Sequence, residues 1–277
     1  MRRFDKIAAR LAKETVPIDD LVHKLEVIEA LDLCDVHDFS QLRLMGLPIT
    51  KTNERYATLT TRLTPLEQQL FCVVDIESSA SDITKGQIIE IGAVMLRGTK
   101  EIGRFESLVH TETIPKSIQE LTGITEADVA DAPSLTSVLE GFRLFLKDAV
   151  FVAHNVGFDY YFISASMEQA GFGPMLNRKL CTIDLAQKTI EAERYGLQHL
   201  REVLGIDEGM HHRALADAQS TAKVFAKSLE NIPVDVCTAE ELLYFAKPNQ
   251  KKRKRPHVKK GQKAPNTKEQ PSTCNDS

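Results

Sequence analysis

The sequence predicts an α/β protein in which a mixed β-sheet is flanked by helices. Three strand-like segments follow one another from residue 69, which indicates an antiparallel meander, and helical and strand-like segments then alternate. Such alternation is typical of parallel strands joined by helices. The predicted strands are 69–77, 87–96, 102–110, 149–153 and 179–182, and the predicted helices are 134–147, 157–171, 197–204 and 213–229.

Hydrophobic patterning supports the individual elements. FCVVDIE (71–77) and IIEIGAVML (88–96) are nearly continuous apolar runs, as in strands buried on both faces. VFVAHN (150–155) reads as a strand that leads into the helix FDYYFISASMEQA. In the last helix, apolar residues recur at helical spacing and form one buried stripe. These residues are Leu215, Ala218, Ala222 and Phe225.

Residues 1–66 are predicted to form a separate module. Helices are expected at 4–14 and 19–31, with Asp19 or Asp20 as the N-cap of the second, and a short helical stretch near 39–45. A β-hairpin is expected around 52–54. The module is either a winged-helix-like unit or a helical cap packed on the main domain. We expect the main domain at 67–231, a connecting segment at 232–246 and a tail at 247–277.

Composition narrows the class of protein. The chain has 277 residues, 42% of them hydrophobic, which is enough for one medium-sized domain and an appendage. No apolar stretch is long enough for a membrane span, and the first residues lack the apolar core of a signal peptide. Five cysteines without a CxxC pair favour reduced thiols and a cytoplasmic protein. They are Cys34, Cys72, Cys181, Cys237 and Cys274.

Charge is distributed unevenly along the chain. The net charge is −4, yet residues 247–277 carry ten basic and two acidic residues. The tail is therefore strongly basic, and the main domain is acidic. Because the tail has almost no large apolar side chains, it is expected to be disordered. It is a solvated extension, an arm that contacts phosphates or, in a eukaryotic chain, a nuclear address.

Two acids interrupt the first apolar strand. Asp75 and Glu77 are two residues apart, so their side chains leave the same face of a strand. Charges in a buried strand are costly unless a cation neutralises them. Two Mg²⁺ or Mn²⁺ ions would do so, because these hard cations prefer oxygen ligands.

Three further residues complete a candidate site. Asp159 follows the strand VFVAHN and begins a helix, where its carboxylate can be aimed at the end of the sheet. Asp217 begins the last helix, five residues after His212. An imidazole titrates near neutrality and suits a general base.

These segments together resemble the DnaQ-like, or DEDDh, family of 3′→5′ exonucleases. The matching pieces are DIE (75–77), HNVGFD (154–159) and HRALAD (212–217), with support from IIEIGAVML and LTGIT (121–125). The resemblance implies a ribonuclease-H-like fold over roughly 68–230. It also implies two divalent cations held by Asp75, Glu77, Asp159 and Asp217. His212 would be the base, with His211 as the less favoured alternative, and the product a nucleoside 5′-monophosphate.

The resemblance implies contacts to the substrate as well. Ser78, where the family often has Thr, and Thr122, Asn155 and Phe158 are candidates. The expected partners are a single-stranded or frayed DNA 3′ end and a DNA polymerase catalytic subunit, as for the proofreading subunits of bacterial replicative polymerases. Two alternatives stay open: an RNA-trimming or short-oligonucleotide nuclease of the same family, and a non-catalytic nucleic-acid or polymerase adaptor.

Deletion of residues 247–277 tests the role of the basic tail. We expect the shortened protein to cleave short oligonucleotides as before but to bind longer nucleic acid more weakly. Phosphate contacts by the tail would release counterions, so the affinity of the intact chain should fall more steeply with salt. Binding isotherms from low to moderate salt measure both slopes, and equal slopes would show that the tail does not contact phosphates.

Overall fold

The computed structural model describes residues 2–32, 34–206 and 213–248. His211 and His212 lie outside these ranges, as does nearly all of the predicted tail. No helix in the described ranges is long and apolar enough to cross a membrane. The four cysteines within them, Cys34, Cys72, Cys181 and Cys237, are free thiols.

The chain begins with three helices and a small sheet. The helices are α1 (Arg2–Leu11), α2 (Ile18–Glu26) and α3 (Phe39–Leu44), and the strands are β1 (Val16–Pro17), β2 (Ile49–Asn53) and β3 (Tyr56–Leu59). The strands pair antiparallel in the order β1-β3-β2. Helices followed by a β-hairpin are thus present, as the sequence predicts, and β1 adds a third strand.

The limits of these elements differ from the prediction. Helix α2 ends at Glu26, and a separate 3₁₀ turn follows at Glu29–Leu31. Pro17 occupies the N-cap position, so the prediction of Asp19 or Asp20 there was wrong. Both acids lie in the first turn instead, where the helix dipole favours negative charge.

This N-terminal part has its own hydrophobic core and also contacts the rest of the chain. Leu176 of the main domain is buried within that core. Its backbone N–H donates to the carbonyl of Met45 at 2.8 Å. Arg43 of α3 forms an ion pair with Asp148 at 2.7 Å. Helix α3 therefore faces the main domain, as expected for a packed cap.

A five-stranded mixed sheet forms the centre of the protein. Its strands are β4 (Leu70–Ser78), β5 (Ile88–Arg97), β6 (Lys100–Leu108), β7 (Val150–Ala153) and β8 (Lys179–Cys181). They are arranged in the order β6-β5-β4-β7-β8. The pairs β4–β5 and β5–β6 are antiparallel, whereas β4–β7 and β7–β8 are parallel. The predicted mixed sheet with an initial meander is confirmed.

Helices cover both faces of this sheet. They are α4 (Lys116–Thr122), α5 (Glu126–Val129), α6 (Leu135–Leu146), α7 (Val156–Gln169), α8 (Thr182–Thr189), α9 (Leu197–Leu204), α10 (Ala214–Leu229) and α11 (Ala239–Ala246). Phe142 and Phe162 lie in the core on one face, and Phe225 and Leu242 in the core on the other. The sequence did not predict α4, α5, α8 and α11, which have at most eight residues each. The first two residues of the LTGIT segment, Leu121 and Thr122, are the end of α4.

A buried polar contact joins three distant parts of the chain. Glu240 of α11 accepts two hydrogen bonds from Arg178, both at 2.7 Å, and one from the Thr61 hydroxyl at 2.8 Å. Arg178 immediately precedes β8, and Thr61 follows the N-terminal sheet. The segment 232–246 is therefore packed against the main domain by its helix.

Candidate metal centre

Two of the predicted site acids lie at one end of the central strand. Asp75 and Glu77 are on β4, between β5 and β7. Asp75 is opposite Gly92 of β5, and Glu77 is opposite Glu90. Because side chains two apart on a strand share a face, both acids leave β4 on the same side.

The N-terminus of α10 rests directly on β5. A Cβ atom added to Gly92 would lie 2.1 Å from the backbone nitrogen of Leu215, so only glycine permits this approach. Glu90, which is 0% exposed, accepts hydrogen bonds from Arg213 at 2.7 and 3.0 Å and from the Ala214 N–H at 2.9 Å. The buried carboxylate of Glu90 thus holds the first turn of α10 against the sheet, and the absence of a side chain at Gly92 allows this close approach.

This arrangement brings Asp217 to the acids of β4. One carboxylate oxygen from each of Asp75, Glu77 and Asp217 lies within 4.8 Å of the other two. Asp217 also accepts a hydrogen bond from Arg201 of α9 at 3.1 Å. Three carboxylates at this spacing can share a divalent cation.

The fourth acid lies on α7, near Asp75 but outside the group of three carboxylates within 4.8 Å. Asp159 lies in the first turn of α7 and is 4% exposed. Ahead of it, Asn155 has a φ of 73°, a left-handed conformation that turns the chain sharply from β7 into the helix. The backbone of Ile76, between Asp75 and Glu77, lies close enough to the Asp159 carboxylate to lower its pKa against the effect of burial. Asp159 is therefore beside the two acids of β4.

Burial and mutual repulsion make the charged forms of these acids unfavourable. Burial, followed by the charges of Glu90, Asp217 and Asp159, raises the pKa of Glu77 to about 7, and Arg213 opposes this shift. Burial likewise raises the pKa of Asp159 to about 7. The pKa of Asp75 is well above its usual range, chiefly from burial and then from the charge of Asp159. A bound cation would offset this repulsion, so the residues fit a divalent metal.

The remaining predicted residues have varied positions. His212 lies outside the described residues, although Arg213, its neighbour, is anchored to Glu90. The Ser78 hydroxyl donates to the carbonyl of Ala80 at 2.9 Å. Thr122 is buried, and its hydroxyl donates to Ile118 and accepts from the N–H of Ile124.

Two of the predicted substrate contacts flank Asp159. Asn155 is exposed at the turn before α7. Phe158 is half-buried, packs against the core, and has its ring 5.7 Å from that of Phe162. Asn155 is thus accessible to a substrate, whereas the Phe158 ring contributes to the core.

Sequence reasoning did not identify four residues that shape the site. These are Glu90, Gly92, Arg201 and Arg213. Glu90 had a visible signal, because an acid inside the apolar run IIEIGAVML needs a buried partner. Arg213 adjoins the expected base and was a natural candidate for that partner. Arg201 gave no signal, since it lies in an ordinary amphipathic segment.

Comparison with known proteins places the chain in a family. The model of the RNase_T family, described as Exonuclease, matches residues 72–225. This match includes Asp75, Glu77, Asp159 and Asp217 and covers more than half of the chain. The chain belongs to this exonuclease family. The resemblance to DnaQ-like exonucleases is thereby confirmed, and the protein is a nuclease by family.

The chain is also similar to part of several DNA polymerases. The chain is 36% identical over 170 residues to a PolC-type DNA polymerase III of Staphylococcus haemolyticus, and 35% identical to that of Staphylococcus aureus. Each match covers 60% of this chain but only 12% of the polymerase. The chain thus corresponds to a small part of these relatives.

Solved structures share the fold. Exonuclease X in complex with 5′ overhanging duplex DNA has a TM-score of 0.52 and 24% identity, over 64% of this chain and 99% of that one. Escherichia coli exonuclease I in complex with a dA16 oligonucleotide has a TM-score of 0.56 and 15% identity, over 64% and 43% of the two chains. The ribonuclease-H-like fold of the main domain is therefore confirmed.

The raised pKa values predict how stability depends on pH without metal. The folded protein holds the Asp159 proton up to a pH of about 7, whereas the unfolded chain releases it near 4. Stability should therefore fall as the pH rises through this window, and the loss is complete above it. Asp159→Asn removes the cost of burying an ionised carboxylate. The melting temperature of this variant in EDTA at pH 8 should therefore exceed that of the wild type by a few degrees. About 1 kcal/mol corresponds to roughly 2–4 °C in a protein of this size.

Thermal melts at pH 5 and pH 8, with EDTA or with Mn²⁺, test this expectation. The difference in melting temperature between Asp159→Asn and the wild type should be smaller at pH 5. Mn²⁺ should raise the melting temperature of Asp159→Asn less than that of the wild type. Asp235→Asn, at an exposed position away from the cluster, is the control and should match the wild type. An Asp159→Asn protein that melts lower than the wild type at pH 8 in EDTA would contradict the cost of burying the charged Asp159 carboxylate.

Proposed function

We propose that the protein is a metal-dependent 3′→5′ exonuclease that releases nucleoside 5′-monophosphates from DNA 3′ ends. The observation that carries this proposal is the meeting of acids from three separate elements. Asp75 and Glu77 from β4 lie within 4.8 Å of Asp217 from α10 through one carboxylate oxygen each, and Asp159 from α7 lies close enough to raise the pKa of Asp75. Buried Glu90 and the close approach at Gly92 hold the first turn of α10, and with it Asp217, against the sheet. A chance group of surface acids would not need such packing.

The chain's own residues have distinct roles in this reaction. Asp75, Glu77, Asp159 and Asp217 would hold two Mg²⁺ or Mn²⁺ ions. When bound, such ions supply Lewis acidity for the attacking water and stabilise the departing 3′ oxygen. His212 takes the proton of that water as general base. Arg213, fixed by Glu90, sets where the segment that carries His212 joins α10.

DNA is the substrate that we propose. The relatives at 35–36% identity are DNA polymerases, and both cited structures of the same fold were determined with DNA. We infer that the protein removes nucleotides from single-stranded or frayed 3′ ends in the cytoplasm. The role is proofreading or repair beside a DNA polymerase catalytic subunit, as for the epsilon subunit of DNA polymerase III.

Digestion of end-labelled oligonucleotides tests the reaction. DNA labelled at its 5′ end should shorten stepwise in Mg²⁺, and a 3′-mismatched duplex should be digested faster than a matched one. EDTA should stop digestion, and Asp75→Ala should abolish most of it in a folded protein. Preferential digestion of RNA would favour the RNA-trimming alternative, and activity retained in Asp75→Ala would contradict the metal centre.

Substitution of the two adjacent histidines tests the general base. His212→Ala should lower the rate by a factor of ~10² to 10⁴, the usual contribution of a general base, with cation binding largely kept. His211→Ala should have a far smaller effect. Rates at saturating Mg²⁺ provide the comparison, and a reversed order would assign the base to His211.

A further inference from the structure

Arg201 is a buried cation in direct contact with one of the proposed metal ligands. Its side chain is 3% exposed, and Nη1 donates to Oδ1 of Asp217 at 3.1 Å. The side chain of Asp217 is 14% exposed. Among the ion pairs within the described ranges, this contact is the one that reaches the acidic cluster. Electrostatic interactions are stronger at such depth than at the surface.

Both partners are held on helices that pack against each other. Arg201 is on α9, and its neighbour Leu200 is fully buried against Ala186 of α8 and Val224 of α10. Asp217 is in the first turn of α10, which β5 holds at Gly92. The packing of the two helices therefore fixes the separation of the two backbones, and burial of the Arg201 side chain restricts its movement.

The contact restricts the orientation of the Asp217 carboxylate. The terminal torsion of an aspartate is broad, so an isolated carboxylate samples many orientations. A hydrogen bond from Arg201 to Oδ1 favours one of them, and the carboxylate keeps further lone pairs that can bind a cation. Groups that orient metal ligands in this way typically contribute 10- to 100-fold to metal affinity or activity.

We propose that Arg201 is a positioning residue of the metal centre, which orients the Asp217 carboxylate. This inference rests on the proposed function, because it requires the cluster to bind a divalent cation. Arg201 would touch neither the substrate nor the cation and acts through Asp217. A purely structural ion pair between α9 and α10 would affect stability alone.

Binding of Mn²⁺ to the full chain separates these two roles. Free Mn²⁺ can be measured by electron paramagnetic resonance during titration, which requires no substrate. Arg201→Met should weaken Mn²⁺ binding about 10-fold. Arg201→Lys keeps the charge but loses the planar fork, so it should bind about threefold more weakly than the wild type.

Arg143→Met is the matched control. Arg143 is the other arginine of the main domain that is almost fully buried, and it contacts Met167 and the carbonyl of Gly173 rather than a site acid. Its substitution should lower the melting temperature but leave Mn²⁺ affinity within about twofold of the wild type. Melting curves establish that each variant is folded before titration.

The outcomes distinguish this proposal from the proposed function. Wild-type or tighter Mn²⁺ affinity in folded Arg201→Met would overturn the positioning role and leave the metal centre intact. If Arg201→Met does not fold, wild-type affinity in Arg201→Lys would overturn it equally. Asp217→Asn should lose most Mn²⁺ binding. If it binds as the wild type does, the metal centre itself is refuted, and the role of Arg201 with it.

Discussion

The close approach of α10 to β5 decides where the acids of this protein lie. Gly92 lets the helix backbone rest on the strand, and Glu90 binds both Arg213 and the first N–H of the helix. Without this contact, Asp217 would not meet the β4 acids, which are some 140 residues earlier in the chain. A side chain at Gly92 would push α10 away from β5 and separate Asp217 from the β4 acids. The position of the acids therefore depends on the packing of α10 against β5.

The same packing creates an electrostatic cost in the protein without metal. Asp75, Glu77 and Asp159 all have raised pKa values because burial disfavours their charged forms. Two arginines partly offset this effect. Arg213 lowers the pKa of Glu77, and Arg201 forms an ion pair with Asp217. Enzymes commonly place such unfavourable charges where a cation or substrate will bind. The family match and the cluster together are best explained by a cation-dependent nuclease site.

Much of the main domain was predictable because its elements are long and strongly patterned. FCVVDIE and IIEIGAVML could only be buried strands, and the apolar stripe from Leu215 to Phe225 gave α10 within one residue. The short helices α4, α5, α8 and α11 were missed because a few turns carry too little periodicity. The predicted N-cap of α2 was wrong because Pro17 occupies that position and fixes the backbone before the helix.

The acids of the site were identifiable from order and spacing, whereas the groups that hold them were not. Arg201 and Asp217 are sixteen residues apart, and nothing in the local sequence indicates that the two side chains meet. Such contacts depend on how α9 packs against α10, which follows from the whole core rather than from either segment. The N-terminal part presents the same difficulty, because the sequence left open whether it packs on the main domain. Its contacts through Arg43 and Leu176 became visible only in the fold.

We propose that the four acids form a divalent metal centre. Anomalous X-ray diffraction from crystals of the protein grown with Mn²⁺ would locate bound ions directly. The structure predicts anomalous peaks among the carboxylates of Asp75, Glu77, Asp159 and Asp217. Ordered Mn²⁺ elsewhere in the molecule, with this cluster empty and its carboxylates protonated at neutral pH, would contradict it.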